Sequence, residues 1–283
     1  MRRCSRKLSG TAEMNCMVGA RISIITIVRN APNALARTLK SLSEQRSLPF
    51  EHLIVDGAST DIATIEIANE YCQAHAWARL VSERDKGISD ALNKGVRLAL
   101  GEFIICMNAG DCFYSPDSLT QILERMSALT SPFVLYGQTE LRYPDFASKN
   151  ADADHRDLNS ICSFWNPICH QATVVPRETL LRNPFKYDLK FSMDLDLWLT
   201  LLDQGLPFYR SNDIYCKYEI GGVSSRPENI PKIIQEHMMV YRRANRAYKA
   251  IPAGFVRARH FLEQICGRPL QILIQFRRKR RRL

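Results

Sequence analysis

The feature that most constrains this chain is the rhythm of its first half. Four short apolar runs rich in β-branched residues, RISIITIV (21–28), EHLIVDG (51–57), ARLVSE (78–83) and GEFIICMN (101–108), are separated by single stretches of helical length. Asn30 and Pro32 open the first of these, running to about Arg46. Asp61 is placed to cap the second, to about Ala74, and the third runs from Ile88 to about Leu100. A strand that is apolar throughout rather than alternately has both of its faces covered. Strands separated by single helices therefore predict an α/β fold with a mostly parallel central sheet and helices on both faces.

In such a sheet the functional crevice lies beyond the carboxyl ends of the strands. Each run here ends in polar or acidic groups: Thr26 and Asn30 at the first, Asp56 at the second, Glu83 and Asp85 at the third, Asn108 and Asp111 at the fourth. Carboxylates crowded on one rim repel one another unless a cation or a donor-rich ligand belongs there.

After about Ser131 the pattern changes to shorter strands and loops, FVLYGQTELRY and NPICHQATVVPRETLL, followed by a helix in FSMDLDLWLTLLDQG with Ser192 as N-cap and Gly205 as C-cap. The formal net charge of +10 sits at the ends. Residues 1–21 carry Arg2, Arg3, Arg6, Lys7 and Arg21 against Glu13. Residues 257–282 carry Arg257, Arg259, Arg268 and the run RRKRRR against Glu263. The body between is slightly acidic, which argues against a nucleic-acid-binding protein. The tail instead places Phe255, Leu262 and Ile265, then Leu270, Leu273 and Ile274, at helical spacing ahead of the basic run, a pattern suited to an anionic membrane surface. Nine scattered cysteines without a CxxC pair argue for a reducing compartment. No apolar stretch reaches the roughly 18 residues of a membrane span. The expected location is cytoplasmic, peripheral at the inner face of the plasma membrane.

The set SIITIVRN, LIVDGASTD, SERDKGISDALNKGVRLALGEFIICMNAGD and MDLDLWLTL resembles the successive motifs of inverting glycosyltransferases of family 2, which have the nucleotide-diphospho-sugar fold called GT-A. It is most similar to the small enzymes of bacterial exopolysaccharide assembly, including the colanic acid type. The likeness covers about residues 21–225, leaving 1–20 as an extension expected to be disordered and 226–283 as a helical, basic, membrane-associating region.

The resemblance implies a role for each motif. Asp56 would contact the nucleobase, alongside Thr26 and Asn30. Asp85, Lys86 and Asp90 of ERDKGISD would lie against the ribose and diphosphate, although Lys94, four residues after Asp90, reads equally well as its ion-pair partner. NAGD stands where the family has Asp-x-Asp, so Asp111 inherits the ligand to Mg²⁺ or Mn²⁺ and Asn108 replaces the first acid, removing one anionic ligand. Asp194 falls on the general base, with Asp196 as its neighbour; carboxylates in a first helical turn are also stabilised by the helix dipole whatever their function. His170 and Gln171 match an acceptor-side pair. Gly222, within GGVS (221–224), belongs to a loop over the donor. The implied activity is transfer of one sugar from a UDP- or GDP-sugar to a polyprenyl-diphosphate-linked or other saccharide acceptor. A nucleotidyltransferase would want a Gly-rich basic loop after the first strand, which TIVRNAPN is not. A non-catalytic basic partner protein is the other alternative, opposed by the presence of Asp111 and Asp194.

Overall fold

The computed structural model describes residues 20–142, 147–149, 158, 162, 166–219 and 226–245. The first half is the parallel unit that the sequence predicts: β1 (Ile22–Val28), α1 (Pro32–Ser43), β2 (Glu51–Asp56), α2 (Ile62–Ala74), β3 (Ala78–Ser82), α3 (Ile88–Leu98) and β4 (Phe103–Cys106). Strands β3, β2, β1 and β4 lie side by side in parallel. Asp61 caps α2 as expected, its carboxylate accepting the Ala63 N–H at 3.0 Å.

The second half converts this parallel unit into a mixed sheet. It adds β5 (Cys112–Phe113), α4 (Ser118–Met126), β6 (Val134–Arg142), β7 (Ala147–Lys149), β8 (Thr173–Pro176), α5 (Arg177–Arg182), α6 (Met193–Asp203), β9 (Phe208–Glu219) and α7 (Ile230–Arg243). The order across the described sheet is β3-β2-β1-β4-β8-β6-β9-β5, with β7 also on β6. β8 runs antiparallel to both β4 and β6, and so joins the two halves.

Alternate residues of β1 serve the two faces. Ile25 and Ile27 point into a core shared with Leu92 and Val96 of α3 and with Leu195, Trp198 and Leu199 of α6. Ile22 and Ile24 point the other way, toward Leu42 of α1 and Leu119 and Ile122 of α4. Gly205 follows α6 in left-handed backbone (φ +74°), the geometry its position at the helix end requires.

One boundary moves. Residues 226–243 were expected to belong to a separate C-terminal region, yet Val240 and Tyr241 of α7 are 1% and 0% exposed and share the core of Trp198. Burying two such side chains contributes on the order of 1.5–3 kcal/mol each, so α7 is part of the main fold. The expected extension up to Ala20, Gly222 and the basic run at 277–282 lie outside the described residues, apart from Ala20 itself.

Candidate active site

The β4 strand carries its polar ending to the rim by continuing its ladder on β1: Met107 N–H donates to Ile25 O at 2.9 Å and Ala109 N–H to Ile27 O at 3.1 Å. The chain then turns, and Thr38 of α1 holds the turn. Its hydroxyl accepts the Gly110 N–H at 2.8 Å and donates to Asp111 O at 2.8 Å. Thr38 is wholly buried on the apolar stripe of Leu35, Leu39 and Leu42. The sequence reading missed it, although a hydroxyl among those apolar positions is the signal that a buried acceptor lies opposite.

Asp111 is 7% exposed and accepts one side-chain hydrogen bond, from Gln171 Nε2 at 2.7 Å. Burial pushes its carboxyl up to about 6, the Gln171 bond and the His170 charge offsetting only part of that cost. Gln171 and His170 lie in a 3-10 turn, His170–Ala172, just before β8. The His170 ring spans the site: Nε2 is 3.0 Å from Asn108 Nδ2, and Nδ1 is 3.4 Å from Asp194 Oδ2 in the first turn of α6. Burial alone would lower the His170 pKa, but the hydrogen bond and charge of Asp194, with Cys169 and Asp111 adding to them, carry it above the ordinary value. Asn108 Oδ1 is buried with no partner among the described residues. Asn108, Asp111, His170, Gln171 and Asp194 therefore form one connected cluster.

Asp196 does not join it. Two residues along a helix is a rotation of about 200°, and the Asp196 carboxylate faces Arg243 of α7 at 3.6 Å. Burial raises its pKa, with Arg243 and Lys186 opposing. The expected cap of α6 also differs from the sequence reading. Ser192 makes no side-chain cap and its hydroxyl is buried without a partner. The N–H groups of Lys190, Phe191 and Ser192 go instead to the carboxylate of Glu236, at 2.9, 2.7 and 3.0 Å.

On the donor side several expected contact residues hold the rim together from within. Thr26 is completely buried, its hydroxyl 2.9 Å from Nε2 of His52, a ring that burial and then His75 lower to about 3 and so keep neutral. Thr26 is thus a packing residue and cannot touch a ligand there. Asp56 has no exposed surface: Ser59 donates to it through both its N–H and its hydroxyl, and Ser82 Oγ donates at 2.6 Å. It organises the loop after β2. Asn30, in left-handed backbone (φ 48°), latches the same loop, its Oδ1 accepting the N–H groups of Thr60 at 2.8 Å and Asp61 at 3.0 Å.

The loop between β3 and α3 is built around Gly87, whose φ of +130° disfavours any residue with a Cβ. Asp85 Oδ1 accepts the Gly87 N–H at 2.9 Å, and Asp90 Oδ2 reaches back to the Lys86 N–H at 2.9 Å. Asp90 is thereby engaged with the backbone. Lys94 pairs with Glu83 at 3.0 Å rather than with Asp90. The Lys86 side chain stays exposed at the rim.

Among the described residues no group of three or more His, Cys, Asp or Glu side chains could hold a metal alone. The residues do fit a cation that arrives with a diphosphate. Among the described residues Asp111 is a buried carboxylate with no Lys or Arg ion pair, the His170 charge offsetting its burial only in part, and Asn108 Oδ1 has no hydrogen-bond partner. Mg²⁺ typically takes one or two protein oxygens and fills its shell from phosphate and water.

Comparison with known proteins assigns the family of this fold and site. Residues 23–164 match the Glycosyl transferase family 2 profile. A PGL/p-HBAD biosynthesis glycosyltransferase of Mycobacterium bovis is 31% identical over 182 residues, covering 64% of this chain and 68% of that protein. Among solved structures, the mannosyltransferase PcManGT of Pyrobaculum calidifontis, in complex with GDP-Man and Mn²⁺, superposes with a TM-score of 0.61 at 20% identity over 84% of this chain and 67% of that one. TarS 1–349 of S. aureus, in complex with UDP-GlcNAc, gives 0.62 at 18% identity over 81% and 68%. The chain belongs to glycosyltransferase family 2, is a glycosyltransferase enzyme, and has the GT-A fold.

Proposed function

We propose that this glycosyltransferase moves a single sugar, with inversion, from a UDP- or GDP-sugar to a polyprenyl-diphosphate-linked or other saccharide acceptor in bacterial surface or exopolysaccharide assembly. The observation that carries this reading is the cluster itself, in which Gln171 contacts Asp111 while the adjacent His170 contacts Asn108 and Asp194. In this reading Asp111 serves the diphosphate and Asp194 the acceptor. The structural neighbours, one in complex with GDP-Man and Mn²⁺ and the other with UDP-GlcNAc, support a nucleotide-sugar donor and a divalent cation.

Asp111, with Asn108, would hold Mg²⁺ or Mn²⁺, which when bound would supply positive charge to offset the negative charge of the leaving diphosphate. Asp85, Lys86 and the loops fixed by Asp56, Asn30 and Asp90 seat the nucleotide, and Gly222 lies in the segment over the donor. Asp194 accepts the proton of the acceptor hydroxyl as that oxygen bonds to the anomeric carbon and the bond to the diphosphate oxygen breaks. His170 holds the Asp194 carboxylate in place, and Gln171 does the same for Asp111.

No described helix is long and apolar enough to cross a membrane. Attachment to the cytoplasmic face is proposed through the basic run at 277–282, each Lys or Arg contributing on the order of 1 kcal/mol near an anionic leaflet. The test is a screen of UDP- and GDP-sugars with bacterial membrane extract, reading nucleotide release. Release dependent on one donor, on Mg²⁺ or Mn²⁺, and on both Asp111 and Asp194 supports the proposal. Turnover of every donor without extract, or release unaffected by replacing those two residues, overturns it.

A further inference from the structure

The helix that carries Asp194 begins without a cap of its own. The first N–H groups of a helix lack intrahelical partners and usually take one from a side chain nearby in sequence. Here Ser192 occupies that position and contributes no bond. The chain leading into the helix is held from more than forty residues away, by both oxygens of Glu236 on three successive N–H groups. The last of the three lies two residues before Asp194.

The rest of α7 reinforces this attachment. Val240 and Tyr241 are buried in the common core, and Arg243 reaches both Asp188, at the other end of the same loop, and Asp196, one turn into α6. The loop 188–192 is thus fastened at each end by α7. His237, next to Glu236, lies in the field of Asp194: burial lowers its pKa, and the charges of Asp194 and Glu236 oppose that shift. Hydrogen bonds to an ionised acceptor are stronger than neutral ones, and three on one carboxyl group leave the loop little freedom. A misplacement of about 1 Å in a reacting group can cost on the order of 10²-fold in rate.

We infer that Glu236 is a positioning residue for catalysis, fixing the 190–192 backbone so that Asp194 meets His170 and the acceptor hydroxyl. The inference rests on the reading of Asp194 as the base. It makes α7, which lies beyond the family-matched residues 23–164, a working part of the acceptor side.

The experiment uses the full chain with Glu236→Ala, Glu236→Gln, Asp194→Asn and the double replacement of Glu236 by Ala and Asp194 by Asn. Nucleotide release from UDP- or GDP-sugar with membrane extract gives kcat and donor KM, and amide hydrogen exchange reports on residues 190–192. Glu236→Ala should lower kcat by about ten- to hundredfold with donor KM unchanged. Exchange at 190–192 should accelerate while the α6 interior stays protected. The double variant should be no slower than Asp194→Asn alone, because both changes act through one group. If Glu236→Ala fails to fold, Glu236→Gln carries the same comparison with a smaller loss. Full turnover by the Glu236 variants, losses that multiply in the Asp194→Asn background, or unchanged exchange at 190–192 would overturn the inference while leaving the base intact. Normal turnover by Asp194→Asn would instead remove the reading on which it rests.

Discussion

Replacing Asp111 by Asn should make the metal-free enzyme more stable while abolishing its function. Burial moves the Asp111 pKa from 3.8 to about 6. The folded state therefore keeps this proton up to about pH 6, whereas the unfolded chain releases it near 3.8. Wild-type stability falls as pH rises through that window, and the loss is complete above it. A shift of about two units at 1.36 kcal/mol each gives roughly 3 kcal/mol at neutral pH. Asn is nearly isosteric, can still accept from Gln171, and never ionises. In a domain of this size 1 kcal/mol moves Tm by roughly 2–4 °C, so the variant should melt about 5–10 °C higher in EDTA at pH 7.5, and the gap should close toward pH 4. Adding Mn²⁺ with UDP or GDP should reverse the order, stabilising the wild type by mass action and leaving the variant unmoved. A variant no more stable than wild type at pH 7.5 without metal would refute the electrostatic reasoning. Equal stabilisation of both proteins by Mn²⁺ and nucleotide would refute the assignment of Asp111 to the cation.

Further tests address other parts of the structure. Asp194→Asn should lower kcat by roughly 10²- to 10⁴-fold with donor affinity nearly unchanged, while Asp196→Asn, which faces Arg243, should affect stability more than turnover; a reversed pair of effects in steady-state kinetics would contradict the placement of both. Thr38→Val leaves the Gly110 N–H and Asp111 O without their partner, so urea unfolding should show a loss of about 1–3 kcal/mol and calorimetry a weaker Mn²⁺-dependent nucleotide affinity. His52 is held neutral, so its contribution to stability is complete above its unfolded value of 6.5 and is lost as pH falls from there toward 3. His52→Gln should flatten the acid limb of a pH–stability curve, and an unchanged limb would show that His52 does not set it. Deleting residues 277–283 should release the protein from anionic vesicles in a sedimentation assay, and undiminished binding would exclude the basic run as the anchor.

The parallel half of the fold was legible because each of its elements is fixed locally. β-branched runs, the Asp61 cap and Pro32 inside the first helix each act within a few residues. The mixed half was less legible: the pairing of β6 with β9 joins segments about seventy residues apart, and neither segment alone carries a mark of its partner. The same distinction separates the site residues. Asp111 was marked by its strand end, and its expected role and that of Asp194 came from the resemblance to family 2, whereas Thr38, Glu236 and His237 act across tertiary contacts. Thr26 and Asp56 show the converse. Their strand ends were identified correctly, but a residue's position along a strand does not say whether its side chain opens on the crevice or is enclosed by its neighbours.

What distinguishes the buried carboxylates is how completely each is compensated. Glu51 has Ser23, the Leu100 N–H and Arg79; Asp56 has three donors, and Asp196 has Arg243. Glu51 and Asp56 are compensated within the fold and Asp196 in part, burial still raising its pKa against Arg243; replacement of all three should be read in stability. Asp111 is buried as deeply as Asp196; among the described residues it has the Gln171 amide and the His170 charge, which offset its burial only in part, beside an Asn108 oxygen with no partner. An anion left in that condition costs free energy, and the surrounding fold sustains the cost with Thr38 fixing the loop from one side and Gln171 from the other. Protonation, replacement by Asn or a bound cation would each relieve that cost. The deficit at Asp111 and the Asn108 oxygen without a partner among the described residues are the two observations on which the proposed cation site rests, and a cation bound there would supply the charge that the fold withholds.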